Sequence, residues 1–260
     1  MSKRAFAVGA HPDDIEFQMA GTLIQLGRAG YELHCMSVAN GSCGSLTAGK
    51  EEAIAIRRAE AAEACAAIDA VLHESLTDDF AIFYEPGLLA RLAAVMRQVA
   101  PEIVLTHAPH DYMEDHQNAC RLTVTAAFTR AMPNFETNPP AAPVDDPVRV
   151  YHAQPHGNVD PLGTPVVPPI FVDIEPAMTE KAAMLAAHRS QADWLDASQG
   201  MSSHVAEMKR GAAAIGAASG RYSVAEGWQR RSHPGFCDAG FAPLLDGLGN
   251  AAFEAGTPAL

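Results

Sequence analysis

The sequence lacks any apolar run near the roughly 18 residues that a membrane-spanning helix needs. Its first residues, MSKRAFAVGAHPDD, hold only a short apolar stretch that His11 interrupts, so we expect no signal peptide. Cysteine is also scarce: the five cysteines are widely spaced and include no C-x-x-C pair. We therefore expect no disulfide framework and no zinc ribbon, but reduced thiols in a cytoplasmic protein.

Basic residues are few. The chain of 260 residues has 18 Lys and Arg against 31 Asp and Glu, a formal net charge of −13. This balance argues against nucleic acid or an anionic membrane surface as the main partner, because both require local positive charge. A small anionic substrate stays compatible with it, since a few arginines in a cleft can oppose the overall field.

Short apolar runs alternate with amphipathic stretches through the first half of the chain. This alternation predicts an α/β fold, with a mostly parallel sheet covered by helices on both faces. We expect a single domain over 1–260. The predicted strands cover 4–9, 31–39, 71–72, 103–106, 148–153 and 170–174, and the predicted helices cover 13–28, 51–68, 86–100, 115–130, 178–197 and 202–218.

Proline is concentrated in one region: 11 of the 18 prolines lie within 133–176. Proline fixes φ and lacks a donor, so this region cannot be one long helix. It is either a rigid connector or a loop region that shapes the wall or lid of an active site. The segment 240–260 has no basic residue, and we expect it to be a C-terminal tail used for packing or for self-association.

A polar cluster directly follows the first predicted strand. His11, Asp13 and Asp14 lie there, at the carboxyl edge of a parallel sheet, where ligands bind in this architecture. Imidazole and carboxylate groups are good ligands for zinc and similar divalent metals. The alternative is that both aspartates cap the next helix and that His11 is an ordinary loop residue.

A second polar cluster, HAPHDYMEDH over 107–116, follows the strand IVLT and opens another helix. The two clusters should converge, because both follow strands of one parallel sheet. His11, Asp14 and His116 then supply the three protein ligands that a catalytic zinc site uses. Asp13 stays free beside them as a general base, and Asp115 or Asp111 could hold an imidazole in its ligand tautomer. The alternative is a polar loop with a capping aspartate.

These motifs resemble those of the PIG-L/LmbE-like metal-dependent N-acetyl-sugar deacetylases. The specific feature is AHPDDIE over 10–16, together with the later Asp115-His116 pair at a helix start. Weaker similarities follow in IRRAE, KAAMLAAHRSQ and SVAEGW, which contain Arg57 and Glu60, Lys181 to Gln191, and Ala225-Glu226.

The resemblance implies a Rossmann-like three-layer sandwich, in which His11, Asp14 and His116 bind Zn²⁺ or another divalent metal. It further implies that Asp13 is the general base, that Arg57 faces the substrate, and that the reaction removes an N-acetyl or N-acyl group from an amino sugar or glycoconjugate. The first turn lacks G-x-G-x-x-G, so a dinucleotide site is not expected. The partner implied is a small N-acetylated sugar. Separately, the apolar C-terminal segment allows a homo-oligomer.

One position departs from the family pattern. Met113 stands where a histidine commonly stabilises the oxyanion or delivers a proton, and a thioether can do neither. Another group must take that role, or the protein is impaired. The candidates for that role are His110, Tyr112, His152, His156 and His233, of which the pair His152 and His156 in YHAQPH is favoured because it follows a predicted strand. Among the site residues overall, His110, Asp115 and His156 are expected to be catalytic, and Tyr112 and His152 to contact the substrate.

Three other functions stay open on the sequence. A related hydrolase could act on a thiol-conjugate amide or on another glycosylated small molecule, with 133–176 setting that choice. The departure at Met113 also allows a non-catalytic metal-binding module. A nucleotide-binding protein is disfavoured by the missing glycine motif.

Overall fold

A computed structural model describes residues 3–191 and 204–256. One eight-stranded sheet runs through these residues in the order β3-β2-β1-β4-β5-β7-β6-β8. The first five strands in that order are parallel, whereas β7 runs antiparallel to β5 and β6, and β8 runs antiparallel to β6. The strands are β1 (Arg4–Gly9), β2 (Glu32–Ser37), β3 (Val71–His73), β4 (Ile103–Thr106), β5 (Arg149–Ala153), β6 (Ile170–Asp173), β7 (Ala225–Arg230) and β8 (Ala252–Glu254).

Helices cover both faces of this sheet, because alternate residues of the central strands point to opposite sides. Phe6 belongs to one buried cluster with residues of α4 and α5, whereas Ala5 and Ala7 belong to another with residues of α2. The predicted three-layer α/β sandwich with a mostly parallel sheet is confirmed. The helices are α1 (Asp14–Gln18), α2 (Ala20–Arg28), α3 (Lys50–Ala66), α4 (Pro86–Val99), α5 (Glu114–Thr129), α6 (Met178–Ala186), α7 (His204–Ser219) and α8 (Pro243–Leu248).

The first predicted helix, over 13–28, is broken in two at Met19, whose backbone leaves the helical region. Glu226 of β7 lies at this break and accepts hydrogen bonds from the backbone N–H groups of Gly21 and Thr22. A buried carboxylate thus satisfies the free donors that open α2, which is a stabilising position for negative charge. The sequence pattern did not show the break, because its cause lies about 200 residues away.

The proline-rich region contains β5 and β6, close to the two strands predicted inside it. Its first part is held by Arg97, whose guanidinium donates to the carbonyls of Met132, Phe135 and Ala141. Of this region only His156, in the turn after β5, lines the cavity described below. A role for the whole region in shaping the site stays a prediction.

The C-terminal segment 240–256 is part of the domain. Helix α8 buries Leu244 in the core, and β8 pairs with β6 at the sheet edge. The last four residues of the expected tail, and the part of the helix predicted over 178–197 that follows Gln191, lie outside the described residues. Within the described ranges, no helix is both long and apolar enough to cross a membrane.

Candidate metal centre and active site

The two polar clusters meet at the carboxyl edge of the sheet, around a cavity of about 170 Å³. The cluster after β1 supplies His11, Asp13 and Asp14 to its lining, and the cluster after β4 supplies Tyr112, Met113 and His116. Strands β1 and β4 are neighbours, so both loops leave the same edge of the sheet. The remaining lining residues are Phe17, Gln18, Cys43, Gly44, Arg57, Asp79, Phe80, His156, Gln191 and His204.

Ligand atoms of His11, Asp14 and His116 converge within 4.8 Å of one another. Oδ1 of Asp14 lies 3.3 Å from Nε2 of His116, and Oδ2 of Asp14 lies 3.6 Å from Nδ1 of His11. Two imidazoles and one carboxylate that leave a cavity open on one side match the three-ligand arrangement of catalytic zinc sites. The donor set therefore fits a divalent metal.

Each of the two imidazoles is held from behind by a carboxylate. Oδ2 of Asp115 lies 2.9 Å from Nε2 of His11, and Oδ1 of Asp111 lies 2.9 Å from Nδ1 of His116. This contact fixes which ring nitrogen faces the centre, as outer carboxylates do in zinc enzymes. The sequence suggested Asp115 or Asp111 for this position, and the structure uses one for each histidine.

Asp14 is fixed by main-chain donors. Its Oδ2 accepts hydrogen bonds from the N–H groups of Ala10 and His11, at 3.0 and 2.7 Å. The ring of His107 lies behind it, stacked on His116 at 4.1 Å between centroids, and its Nε2 is 2.8 Å from the N of Ala10. Sequence reasoning gave His107 no role, although it belongs to the quoted motif.

The field at this centre strongly favours positive charge. Burial alone would lower the pKa of both histidines, but the carboxylates around them raise that of His11 to about 9 and that of His116 to about 10. Burial acts to raise the pKa of Asp14, but His116 and His107 outweigh it and hold that pKa well below its usual range. A divalent cation would be attracted by the same carboxylates.

Asp13 lies beside these three groups and lines the cavity. Its backbone has a φ of 110°, a rare conformation for a residue other than glycine, and although Asp13 is the N-cap residue of α1 its side chain makes no capping hydrogen bond. Burial raises its pKa to about 6, with the positive charge of Arg57 acting in the opposite direction. A carboxylate with a pKa near neutrality is suited to take up and release a proton.

Arg57 and Arg58 point in different directions from α3. Arg57 is buried and donates to the carbonyl of Pro12 and to Oε1 of Gln191, while Arg58 is exposed and pairs with Glu74. Gly41 packs against Arg57 with a φ of 80°, and a Cβ there would lie 2.9 Å from Cγ of Arg57. Arg57 thus braces the loop that carries Asp13, in addition to lining the cavity.

The structure shows which candidates for the role of the missing histidine lie at the cavity and which do not. His156 lines the cavity, with its ring 5.1 Å from that of Phe17 and 5.4 Å from that of Tyr112. His110 is exposed and lines a different depression, so its proposed catalytic role needs correction. The loop carries its side chain out of the cavity.

His152, predicted as a substrate contact, is not among the residues that line the cavity. It is buried, and its Nδ1 donates to the carbonyl of His107. His204 was missed by the sequence reasoning: it lines the cavity from α7 and contacts the carbonyl of Leu185. No local motif marks it.

The sequence is similar to a known protein family over the residues that contain both polar clusters. Residues 6–127 match the family described as PIG-L, GlcNAc-PI de-N-acetylase. Over those residues the chain is similar to this family. The resemblance predicted from the AHPDDIE motif is therefore confirmed.

Two curated relatives of this PIG-L-like chain are of similar closeness. One is the diacetylchitobiose deacetylase of Thermococcus kodakarensis, 27% identical over 199 residues, or 73% of this chain and 70% of the relative. The other is the 4-oxalmesaconate hydratase of Pseudomonas putida, 28% identical over 192 residues, or 70% of this chain and 72% of the relative. Among solved structures, the N,N'-diacetylchitobiose deacetylase of Pyrococcus horikoshii superposes with a TM-score of 0.74 at 22% identity, covering 90% of this chain and 85% of that one.

Proposed function

We propose that this PIG-L-like chain hydrolyses the N-acetyl group of an amino sugar or glycoconjugate, releasing acetate and a free amine. The observation that carries the proposal is the convergence of His11, Asp14 and His116 around a cavity that also exposes the unliganded carboxylate of Asp13. The deacetylase relatives and the family match support the reaction class. The broader class, a hydrolase acting on C–N bonds other than peptide bonds, follows from the same similarities.

The metal proposed is Zn²⁺, since two imidazoles and a carboxylate suit it, although other divalent ions of the first transition row use the same ligands. His11, Asp14 and His116 would hold it, with Asp115 and Asp111 orienting the two rings. A bound divalent metal would polarise the amide carbonyl and lower the pKa of bound water.

Asp13 is the proposed proton carrier. Its pKa of about 6 lets it accept a proton from the attacking water near neutral pH and return that proton to the departing amine. Its neighbour Arg57 keeps the Pro12 carbonyl, and with it the loop, in place. Asp115 contacts His11 and Phe80 and so acts as a positioning residue.

His156 is proposed to stabilise the oxyanion in place of the histidine that Met113 replaces. Burial lowers the pKa of His156, so the ring is neutral near pH 7 and retains one N–H donor. A neutral donor aimed at developing negative charge is the usual element of an oxyanion hole. Tyr112, beside it at the rim, is the proposed second substrate contact.

The direct test measures acetate release from a panel of N-acetylated amino sugars and simple acyl amines, with metal-loaded protein and after chelation. We expect release from at least one sugar, lost on chelation and restored by Zn²⁺. No release from any member of the panel would refute the deacetylase proposal.

The role of His156 is tested with a matched pair of substitutions. His156→Ala should lower kcat by roughly 100-fold, the usual effect of losing one oxyanion donor, while metal content stays unchanged. His110→Ala, at an exposed position outside the cavity, should leave kcat within twofold. If His156→Ala also leaves kcat unchanged, another group stabilises the oxyanion.

A second candidate reaction is water addition to a carbon–carbon double bond. It is favoured by the hydratase relative, which is as similar to this chain as the deacetylase is, and by Met113 in place of a histidine. Hydration would be favoured by a fall in the ultraviolet absorbance of an unsaturated dicarboxylate on incubation with the protein, together with no acetate release from any amide. Two other functions would be recognised in the same panel. An amidase specific for thiol conjugates would cleave such a conjugate alone, and a non-catalytic metal-binding protein would bind metal without turning over any member.

We also propose a cellular location and a class of partner, both argued from the composition of the chain. The net charge of −13 and the free thiols support a cytoplasmic protein that acts on a small molecule and binds no nucleic acid. Self-association through the C-terminal segment stays a proposal, tested by sedimentation of the intact chain.

A further inference from the structure

Two large aromatic side chains are exposed at the mouth of the cavity. Phe80 is 64% exposed and Tyr112 is 61% exposed, and both line the cavity around His11 and His116. Exposed apolar groups contribute nothing to the core, so two aromatic side chains gathered at one cavity need another explanation.

The backbone of Phe80 is held in a costly conformation. Its φ is 60°, in the left-handed region that bulky residues rarely adopt because it brings Cβ close to the following carbonyl oxygen. Its N–H donates to Oδ2 of Asp115 at 2.7 Å, the same oxygen that contacts Nε2 of His11. The main chain that carries the Phe80 ring is therefore hydrogen-bonded to Asp115, which contacts the candidate metal ligand His11.

The preceding residue fixes the loop from the other side. Oδ1 and Oδ2 of Asp79 accept hydrogen bonds from the N–H groups of Gly41 and Cys43, and the N–H of Asp79 donates to Oγ of Ser42. These contacts hold the strained backbone in place, so the main-chain position from which the Phe80 ring projects is set before any ligand arrives. Pre-organised aromatic area binds at a low entropic cost.

Tyr112 lines the same cavity beside the second candidate ligand. Its ring meets that of His116 edge-on at 5.5 Å, with an angle of 83° between the planes. Phe80 is thus linked to one candidate ligand, through Asp115, and Tyr112 contacts the other.

We propose that Phe80 and Tyr112 form an aromatic clamp that binds the pyranose ring bearing the acylated amine, and that Phe80 is the main determinant of the preference for a ring over an open-chain amide. A pyranose presents C–H groups on its faces and hydroxyls around its edge, so an aromatic ring can cover a face while the hydroxyls stay hydrated. This inference rests on the proposed function, because it assigns the part of the substrate that lies outside the amide.

The test compares binding and turnover in three variants. Phe80→Ala and Phe80→Gly remove the ring, and Phe83→Ala is the control, since Phe83 is 63% exposed on the same loop but does not line the cavity. Binding of N-acetylglucosamine to metal-loaded protein is measured by calorimetry with Asp13→Asn added to every protein compared, which removes the proposed proton carrier so that the heat reports binding and not turnover. We expect about three- to tenfold weaker binding in both Phe80 variants, as loss of one aromatic contact gives, and no change in Phe83→Ala.

Two further measurements separate the ring from the loop. Glycine accepts a φ of 60° without strain, so Phe80→Gly should melt at a higher temperature than Phe80→Ala although both bind the sugar equally weakly. Phe80→Trp should restore binding. The KM for the open-chain amide N-acetylethanolamine should rise less in the Phe80 variants than the dissociation constant of N-acetylglucosamine does, and should stay unchanged in Phe83→Ala.

The clamp is refuted if Phe80→Ala binds N-acetylglucosamine as the unchanged protein does, or if the unchanged protein does not bind it at all. Failure of the proposed function has a different signature, which is the absence of acetate release whatever the binding result.

Discussion

Asp115 contacts Nε2 of His11 at 2.9 Å while its same oxygen accepts the N–H of Phe80 at 2.7 Å. One carboxylate thus orients a candidate metal ligand and anchors the loop at the mouth of the cavity. Asp115→Ala should therefore weaken zinc binding by about 10- to 100-fold, because the ring of His11 loses the contact that fixes its orientation. Competition with a chromogenic chelator measures this directly.

The control for that substitution is its neighbour. Glu114 is exposed at the start of α5, and Glu114→Ala should leave the zinc dissociation constant unchanged. Equal affinities in the Asp115 variant and the unchanged protein would show that His11 is held by other contacts.

Arg57 and its neighbour Arg58 provide a matched pair on one helix. Arg57→Lys should destabilise the fold by about 2 kcal/mol, since a single ammonium cannot serve both the Pro12 carbonyl and Gln191. Arg58→Lys should change the free energy of unfolding by less than about 0.5 kcal/mol, because its contact with Glu74 is exposed. Urea unfolding of both variants tests this, and equal losses would contradict the assigned role of Arg57.

The buried ion pair between Lys181 and Glu226 should be essential to stability. Lys181 is 1% exposed, and Glu226 also accepts the N–H groups of Gly21 and Thr22. Lys181→Met leaves that carboxylate buried without its cation, which we expect to cost about 3–5 kcal/mol. The control is Arg28→Met in the exposed pair Arg28–Glu180, which joins α2 to α6, with an expected loss below about 1 kcal/mol. A loss that small in Lys181→Met, measured by denaturant unfolding, would contradict this ranking.

His152 should make the fold sensitive to acid. Burial lowers its pKa from 6.5 to about 4 in the folded chain, so between these values the unfolded chain binds a proton that the folded chain does not. Stability should therefore fall as the pH drops from about 6.5 to about 4, by up to about 3 kcal/mol from this residue. His152→Gln, which can still donate to the carbonyl of His107, should reduce the slope of unfolding free energy against pH.

Some slope should persist in that variant. His73 is a second histidine whose pKa burial lowers to about 4, and it titrates over the same range. Identical slopes in His152→Gln and the unchanged protein would show that His152 is not the residue that links folding to pH.

The central strands of the sheet and the position of the polar clusters could be predicted from local sequence patterns. Strands β1 and β4 begin and end where the apolar runs predicted, and the polar residues that follow each strand lie at one edge of the sheet. These features depend on local hydrophobic periodicity and on the rule that parallel strands place their carboxyl ends together. For that reason the grouping of His11, Asp14 and His116 could be predicted without coordinates.

Which other side chains reach that edge depends on tertiary contacts, and could not be predicted from the sequence. His156 lines the cavity whereas His110 and His152 do not, Arg57 is buried whereas Arg58 is exposed, and Phe80 stands at the mouth on a strained backbone. Each of these outcomes depends on contacts with residues distant in sequence, such as the bond from Phe80 to Asp115. A local pattern carries no information on such contacts, because loop direction and side-chain burial are set by what packs against them.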